Sequence, residues 1–395
     1  MLRRALLTAG AWLVAAAFAG TDATAQEWTG FFAIEGRGFW ESAAESRQDQ
    51  QGTASVVLEP ELYVSWQDDR QSLVVRPFLR WDSADDERTH FDLRELYWRR
   101  VGSGWELDIG LRKVFWGVTE SIHLVDIVNQ TDLVEDIDGE AKLGQPMIRL
   151  GLSRDWGLLE LFLLPGFRER TFPGAEGRLR FPLVVDEGDA VYESSAEEGH
   201  VDAAVRWSHF LGPVDLGLSY FRGTSREPDL LPRADGRLTP FYAQLDQAGI
   251  DLQATLGSWL LKTEAVARWR RIGDDSLAAA AGFEYTFGDI RSTGLDLGLL
   301  AEYLWGEREL TPFEDDLFIG ARLALNDVQS TEVLAGVVTD LGDGGQFFNV
   351  EASRRLTDHW EAELKVRAFA GLDERDPLAG LRRDDYLELR LVRFF

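Results

Sequence analysis

The sequence predicts an all-β chain: a transmembrane antiparallel up-and-down barrel of about 18 strands, with 16 as the alternative count. Three observations carry this. Apolar residues alternate at period two through most of the chain, in segments of ten or so residues. The joints between segments fall into a short set and a long set that alternate in order. Tryptophans cluster beside the short joints.

The alternation is clearest where one face is charged. Leu73, Val75, Pro77, Leu79 and Trp81 share a face, and Ser72, Val74, Arg76, Phe78 and Arg80 share the other. Leu261, Ala265, Ala267 and Trp269 oppose Lys262, Glu264, Arg268 and Arg270. Ala362, Leu364, Val366 and Ala368 oppose Glu361, Glu363, Lys365 and Arg367. Lipid on one side of a strand and water on the other produce this pattern. Strands are expected at 28–41, 54–67, 71–83, 89–101, 104–116, 146–155, 157–168, 199–210, 213–225, 241–256, 258–271, 276–288, 293–306, 313–326, 329–341, 345–357, 359–372 and 383–395. The fourth alternates poorly, because Leu93, Leu96 and Trp98 do not share a face, and a bulge would explain it.

If the first strand starts on the periplasmic side, every even-numbered strand should end in a short turn. The joints at 67–71, 101–104, 155–157, 211–213, 257–258, 288–293, 326–329 and 357–359 fit. The long connections, 41–53, 117–145, 169–198, 226–240 and 372–382, all fall in the other set. A soluble sandwich has no reason to sort its loops by side. Trp66, Trp105, Trp156, Trp207, Trp259 and Trp360 sit beside the short turns, and Trp81, Trp269 and Trp305 near the opposite ends, as two interfacial girdles would require. The last strand alternates through Leu387, Leu389 and Leu391 to a terminal Phe395. It resembles the targeting strand of bacterial outer-membrane proteins, although Arg393 stands where an apolar residue is commoner. That resemblance implies the barrel-assembly machinery as a partner and the bacterial outer membrane, with its lipid and lipopolysaccharide, as the location.

Residues 1–25 read as a secretory leader. Arg3 and Arg4 precede an apolar run from Ala5 to Ala19, and Ala23-Thr24-Ala25 suits signal cleavage ahead of Gln26. Residues 26–395 contain no linker or repeat and are expected to form one domain. The net charge is -27, and loss of Arg3, Arg4 and Asp22 with the leader would make it -28. That charge disfavours nucleic acid as a partner. With no cysteine, disulfides, thiolate metal sites and thiol nucleophiles are excluded.

Enzyme signatures are missing. His90, His123, His200, His209 and His359 form no HExxH pair, and there is no nucleophile elbow, Walker loop or dinucleotide fingerprint. Ser208 and His209 are adjacent but point to opposite faces of a strand. The chain is therefore expected not to be an enzyme.

By phase, Arg76, Arg80, Arg112, Arg149, Arg206, Arg268, Arg270, Arg367 and Arg390 face the lumen. So do Glu59, Glu61, Asp108, Glu160, Asp251, Glu264, Asp296, Glu302, Glu351, Glu361, Glu363 and Glu388. Most of these charges are expected to pair across strands. The 117–145 connection is long but apolar, with Ile122, Leu124, Val125, Ile127, Val128, Leu133, Val134 and Ile137. Folding it into the lumen would bury those side chains and place Glu120, His123, Asp126, Asp132, Glu135 and Asp136 at a constriction; the alternative is an external cap. Small inward residues, Gly217, Gly298 and the run 278–281, leave room for packing inside. The acid pairs Asp85-Asp86, Asp274-Asp275, Asp315-Asp316 and Asp384-Asp385 fall in the outer loops. They are read as solvated, with loop-bound Ca²⁺ or Mg²⁺ as the alternative.

One stretch, 110–147, is distinctive. Gly110, Arg112, Trp116, Gly117, Glu120, Asn129 and Asp132 resemble a strand-to-loop segment in uncharacterised outer-membrane barrels and in the alginate-export family. The resemblance implies a porin-like channel, and from the exporter a basic lumen for a polyanion; the chain's charge runs the opposite way. The expected function is passive diffusion of small polar or charged solutes, sieved by size and lumen charge. The alternative is a non-conducting receptor, adhesin or assembly partner acting through 169–198 and 226–240.

Overall fold

The computed structural model describes residues 25–48, 50–307, 313–372 and 378–395. The expected leader lies, except for Ala25, outside the described residues, as does part of the 372–382 connection. No described helix is long and apolar enough to cross a membrane.

The strands are β1 (Ala25–Phe39), β2 (Gly52–Trp66), β3 (Gln71–Asp82), β4 (His90–Gly102), β5 (Trp105–Arg112), β6 (Gln145–Arg154), β7 (Gly157–Pro165), β8 (Val191–Tyr192), β9 (Val201–Leu211), β10 (Val214–Thr224), β11 (Asp229–Pro232), β12 (Leu238–Tyr242), β13 (Gln244–Leu256), β14 (Trp259–Arg270), β15 (Ser276–Phe287), β16 (Asp296–Gly306), β17 (Asp315–Ala324), β18 (Glu332–Asp340), β19 (Gln346–Arg355), β20 (Trp360–Ala370) and β21 (Tyr386–Phe394). All but β8, β11 and β12 belong to one 18-stranded antiparallel sheet. Each sheet strand pairs with its neighbours along the chain, and β1 pairs with β21 from Phe31↔Phe394 to Phe39↔Tyr386. The ring is therefore closed, and Phe395 donates its amide to the Gly30 carbonyl at 3.1 Å.

The 18 expected strands are present, each within a few residues of the expected bounds. The largest difference is at β5, which stops at Arg112 because residues 113–116 turn into the lumen. The bulge is real: between β3 and β4 the register shifts from Arg76↔Glu95 to Pro77↔Leu93. Arg94 is the extra residue, and it is buried. Pro60 and Pro77, which have no amide hydrogen to donate, fall where the β2–β3 ladder skips from Leu58↔Leu79 to Leu62↔Val75. Gly110, at φ 141, lies so close to β4 that a Cβ there would stand 2.1 Å from the Leu96 carbonyl oxygen.

The outward face is apolar and exposed: Ile34, Leu79, Leu161, Ile250, Leu299, Ile319 and Leu389 project from it. Trp81, Trp156, Trp259, Trp269 and Trp305 are also exposed, near strand ends. Trp66 differs, being buried beside Val64 and Leu73 with Trp98 against them. Ala301 lies midway along β16 and pairs with Phe283 and Ile319. An arginine at a lipid-facing mid-strand position costs about 2–4 kcal/mol. Ala301→Arg should lose that much in equilibrium unfolding from vesicles, and a smaller loss would place lipid elsewhere.

Candidate pore constriction

The connection from β5 to β6 folds inside the barrel, and the wall residues it reaches show how far it travels. Glu264 of β14, fully buried, accepts hydrogen bonds from the amides of Val118 (2.6 Å), Thr119 (2.9 Å) and Val125 (3.1 Å) and from the Thr119 hydroxyl (2.8 Å). Glu302 of β16 accepts from the amides of Glu120 (2.8 Å) and Ser121 (2.9 Å). Glu120 itself meets Lys262 of β14 at 3.3 Å and Arg322 of β17 at 2.8 Å. The loop leaves the fifth strand of the ring and touches its thirteenth and fourteenth, so it spans the bore.

Two forces hold it there. Leu124, Val125, Ile127 and Val128 are buried in one apolar cluster with inward residues of the wall, among them Phe162, Val266, Ala278, Ala280, Leu300, Leu304 and Phe318. Burying each such loop side chain contributes about 1.5–3 kcal/mol. The small residues 278 and 280 are where the loop packs. The second force is charge. Lys365 is hydrogen-bonded to Asp136, and Arg367 meets Asp138 at 2.8 Å. Arg80 meets Glu135 at 2.7 Å. Arg88 donates to the Val134 carbonyl at 3.1 Å, and the bulge residue Arg94 meets Asp132 at 2.6 Å. Burial alone would push the Asp136 carboxyl up, but Arg367 and Lys365 outweigh it and hold the group below the usual carboxylate range.

All six expected loop residues lie inside the barrel, in two roles. Glu120, Glu135 and Asp136 line a cavity; Asp126, Asp132 and His123 do not. Asp126 folds back to accept the Trp116 amide (2.6 Å) and the Gly117 amide (3.1 Å). Asp132 is fully buried between Arg94 and Thr171. His123 stands 3.1 Å from Glu140 and 3.8 Å from Glu264. Burial lowers its affinity for a proton, but the two carboxylates more than compensate and hold it up to about 10.

The expected wall charges are mostly paired. Arg76 meets Glu61 and Glu95; Arg112, Arg149 and Arg99 converge on the buried Asp108; Arg149 also meets Glu160; Arg206 meets Asp251. Arg268 meets Glu227 and Arg270 meets Asp229, both in an outer loop, and Arg390 meets Glu363. A charge in so confined a space is expensive unless paired. Glu332 and Glu361 form no ion pair within 4 Å among the described residues, although Glu332 lies near enough to Arg322 to act on its charge. Glu35 and Arg37 of β1, which the sequence reading did not single out, also face the lumen and pair with Arg80 and Glu388. Nothing in the sequence marked Arg88, which sits in a loop, or Arg94, which a bulge turns inward.

Of the outer acid pairs, Asp85 accepts the Gly174 amide and Asp384 meets Arg178 at 2.7 Å. Asp275 accepts the Arg270 amide, and Asp315 accepts the Tyr303 hydroxyl. The one described group with three close metal-ligand types is His90, Asp132 and Glu135, inside the lumen, where Arg94 and Arg80 already engage both carboxylates.

Between the loop and the β17–β21, β1 and β3 wall remains a cavity of about 540 Å³, lined by eleven carboxylates and six cations. The closed ring, the short turns at one end, the long loops at the other and the loop-filled bore together define an outer-membrane-type, porin-like β-barrel. Solved structures similar to the chain include engineered variants of a porin from Rhodopseudomonas blastica. One multiple mutant aligns over 94% of this chain and 100% of its own at 11% identity and a TM-score of 0.48. A triple mutant aligns over the same shares at 12% identity and 0.46. No family profile matches the chain, and no curated protein does.

Glu264→Leu should detach the 118–125 segment, because each buried donor left without an acceptor costs about 1–3 kcal/mol. Glu264→Gln, which keeps one acceptor oxygen, should cost less, and unchanged urea unfolding of Glu264→Leu would mean that the carboxylate anchors nothing. His123 binds its proton more tightly in the folded loop than the ordinary value of 6.5 allows. Its contribution to docking is therefore complete below about pH 6.5 and fades as pH rises towards 10. Protease nicking of the loop should increase across that interval and lose this dependence in His123→Gln.

Proposed function

We propose that the protein is a passive outer-membrane channel for small polar solutes, sieved at the 120–141 segment and favouring cations. The observation that carries this is the composition of the cavity wall. The six cations each pair with a carboxylate: Arg37 with Glu388, Arg80 and Arg88 with Glu35, Arg322 with Glu120, Lys365 with Asp136, Arg390 with Glu363. The lining carries five more carboxylates than cations; Arg367 and His123 behind it meet Asp138, Glu351 and Glu140, and the remaining excess leaves a negative potential that low-dielectric walls focus along the bore. This sign argues against a polyanion as the solute. A channel needs no covalent chemistry, in keeping with the lack of enzyme signatures. Lipid and lipopolysaccharide would cover the apolar outer face, and the terminal strand ending at Phe395 would engage the assembly machinery.

The refolded protein in a planar bilayer under a salt gradient should show open steps with a reversal potential of cation sign. Glu332→Gln combined with Glu361→Gln should shift that potential towards zero. Anion preference would put the arginines in command; a folded protein with no steps would favour a receptor or adhesin role. Deleting 120–142 should raise conductance severalfold, and unchanged conductance would remove the constriction from this loop.

A further inference from the structure

A second segment crosses the bore, above the first. Residues 166–200 connect the seventh and eighth strands of the ring, β7 and β9. Their middle docks on the opposite side, on loops flanking the β21–β1 seam. Arg178 is the main clasp. Its guanidinium meets Asp384 at 2.7 Å, donates to the carbonyls of Arg383 (2.7 Å) and Glu41 (3.2 Å), and lies 4.1 Å from the Phe39 ring centre. Next to it, Leu179 packs with Phe39, Leu381 and Tyr386. The Gly174 amide donates to Asp85 at 3.0 Å, and Arg180 meets Glu45 at 2.9 Å.

The two ends of this strap are attached differently. On the near side β8 pairs with β12, which pairs with β11, and the amides of Gly166 and Phe167 bond the carbonyls of His200 and Glu198. On the far side, among the described residues, no backbone-to-backbone hydrogen bond joins 172–182 to the wall; side chains make the attachment. Beneath the strap a void of about 40 Å³ lies between residues 173–179 and 133–137, and shares Arg37, Arg88, Glu135 and Asp136 with the larger cavity. Those four side chains form a neck between the void under the strap and the larger cavity.

Resting on the channel reading above, we infer that the 166–200 strap is the outer gate of this barrel, hinged on its β8–β12 side and latched across the mouth by Arg178. Latching ties a single guanidinium to loops of two different hairpins, and the contacts of Gly174, Leu179 and Arg180 add to its hold. Release exposes the neck without disturbing the ring, because no ladder hydrogen bond breaks.

Single-channel recording of the full-length protein in planar bilayers tests this. Wild type should open briefly. Arg178→Ala should raise the open fraction at least threefold, with Arg178→Lys between them, because an ammonium keeps the charge but not the forked contact. A second variant guards against misfolding of the first. The chain has no cysteine, so Glu45→Cys with Arg180→Cys can be joined by a short bismaleimide. The joined protein should stay closed, and the unjoined one should open at least as often as wild type. Equal open fractions in Arg178→Ala and wild type, or free conduction through the joined protein, would overturn the gate and leave the channel reading standing. No steps from any variant, including one with 172–182 replaced by a short glycine-serine link, would overturn the channel reading and the gate with it.

Discussion

Inside a bilayer there is no water to satisfy a peptide group, so the backbone must pair with itself everywhere. The β1–β21 pairing meets that demand here. Without it the other strands would present two open edges to lipid. With it, each strand has a partner on both sides, and the side chains are free to divide between an apolar outside and a charged inside. The interruptions fall where proline or a bulge leaves the ladder short, at Pro60, Pro77 and Arg94.

A ring of 18 strands is too wide for wall side chains to fill. This chain occupies the space with its own connections. The inner loop joins an apolar half of the lumen to a charged half. Its hydrophobic side chains cover Val266, Ala280 and Leu300, and its carboxylates meet the cations of β3, β17 and β20. The wall carboxylates Glu264 and Glu302 take an uncommon part. They serve less as charges than as acceptors for loop amides that would otherwise be buried without partners. What remains open is the strip where acids outnumber bases, so the packing of one half sets the electrostatics of the other.

The ring and the direction of its side chains were legible along the sequence. Period two appears residue by residue, and a strand cannot slip by one position without turning its charges to lipid. The inner loop was legible for a related reason: eight apolar residues in a connection otherwise bound for water needed a surface to cover. Less was legible within the site. Glu120, Glu135 and Asp136 could not be told from Asp126 and Asp132, because all five are acids in one loop and only its fold decides which face solvent. Arg88 and Arg178 carried no signal, since their partners lie in connections distant along the chain.

The sequence by itself determined the strands to within a few residues, which face meets lipid and the segregation of long and short connections, and it marked 117–145 as a segment in need of a surface to cover; the closed ring fixed the count at 18 and put that segment inside. What the sequence determined follows from local periodicity and from the burial demand of single residues. Only the tertiary structure decided where the two crossing segments land, which carboxylates become anchors and which line the passage, and how Arg178 comes to bind loops from opposite parts of the chain. Those outcomes depend on pairings across the diameter of the ring. A barrel's curvature brings together residues that no spacing along the chain relates.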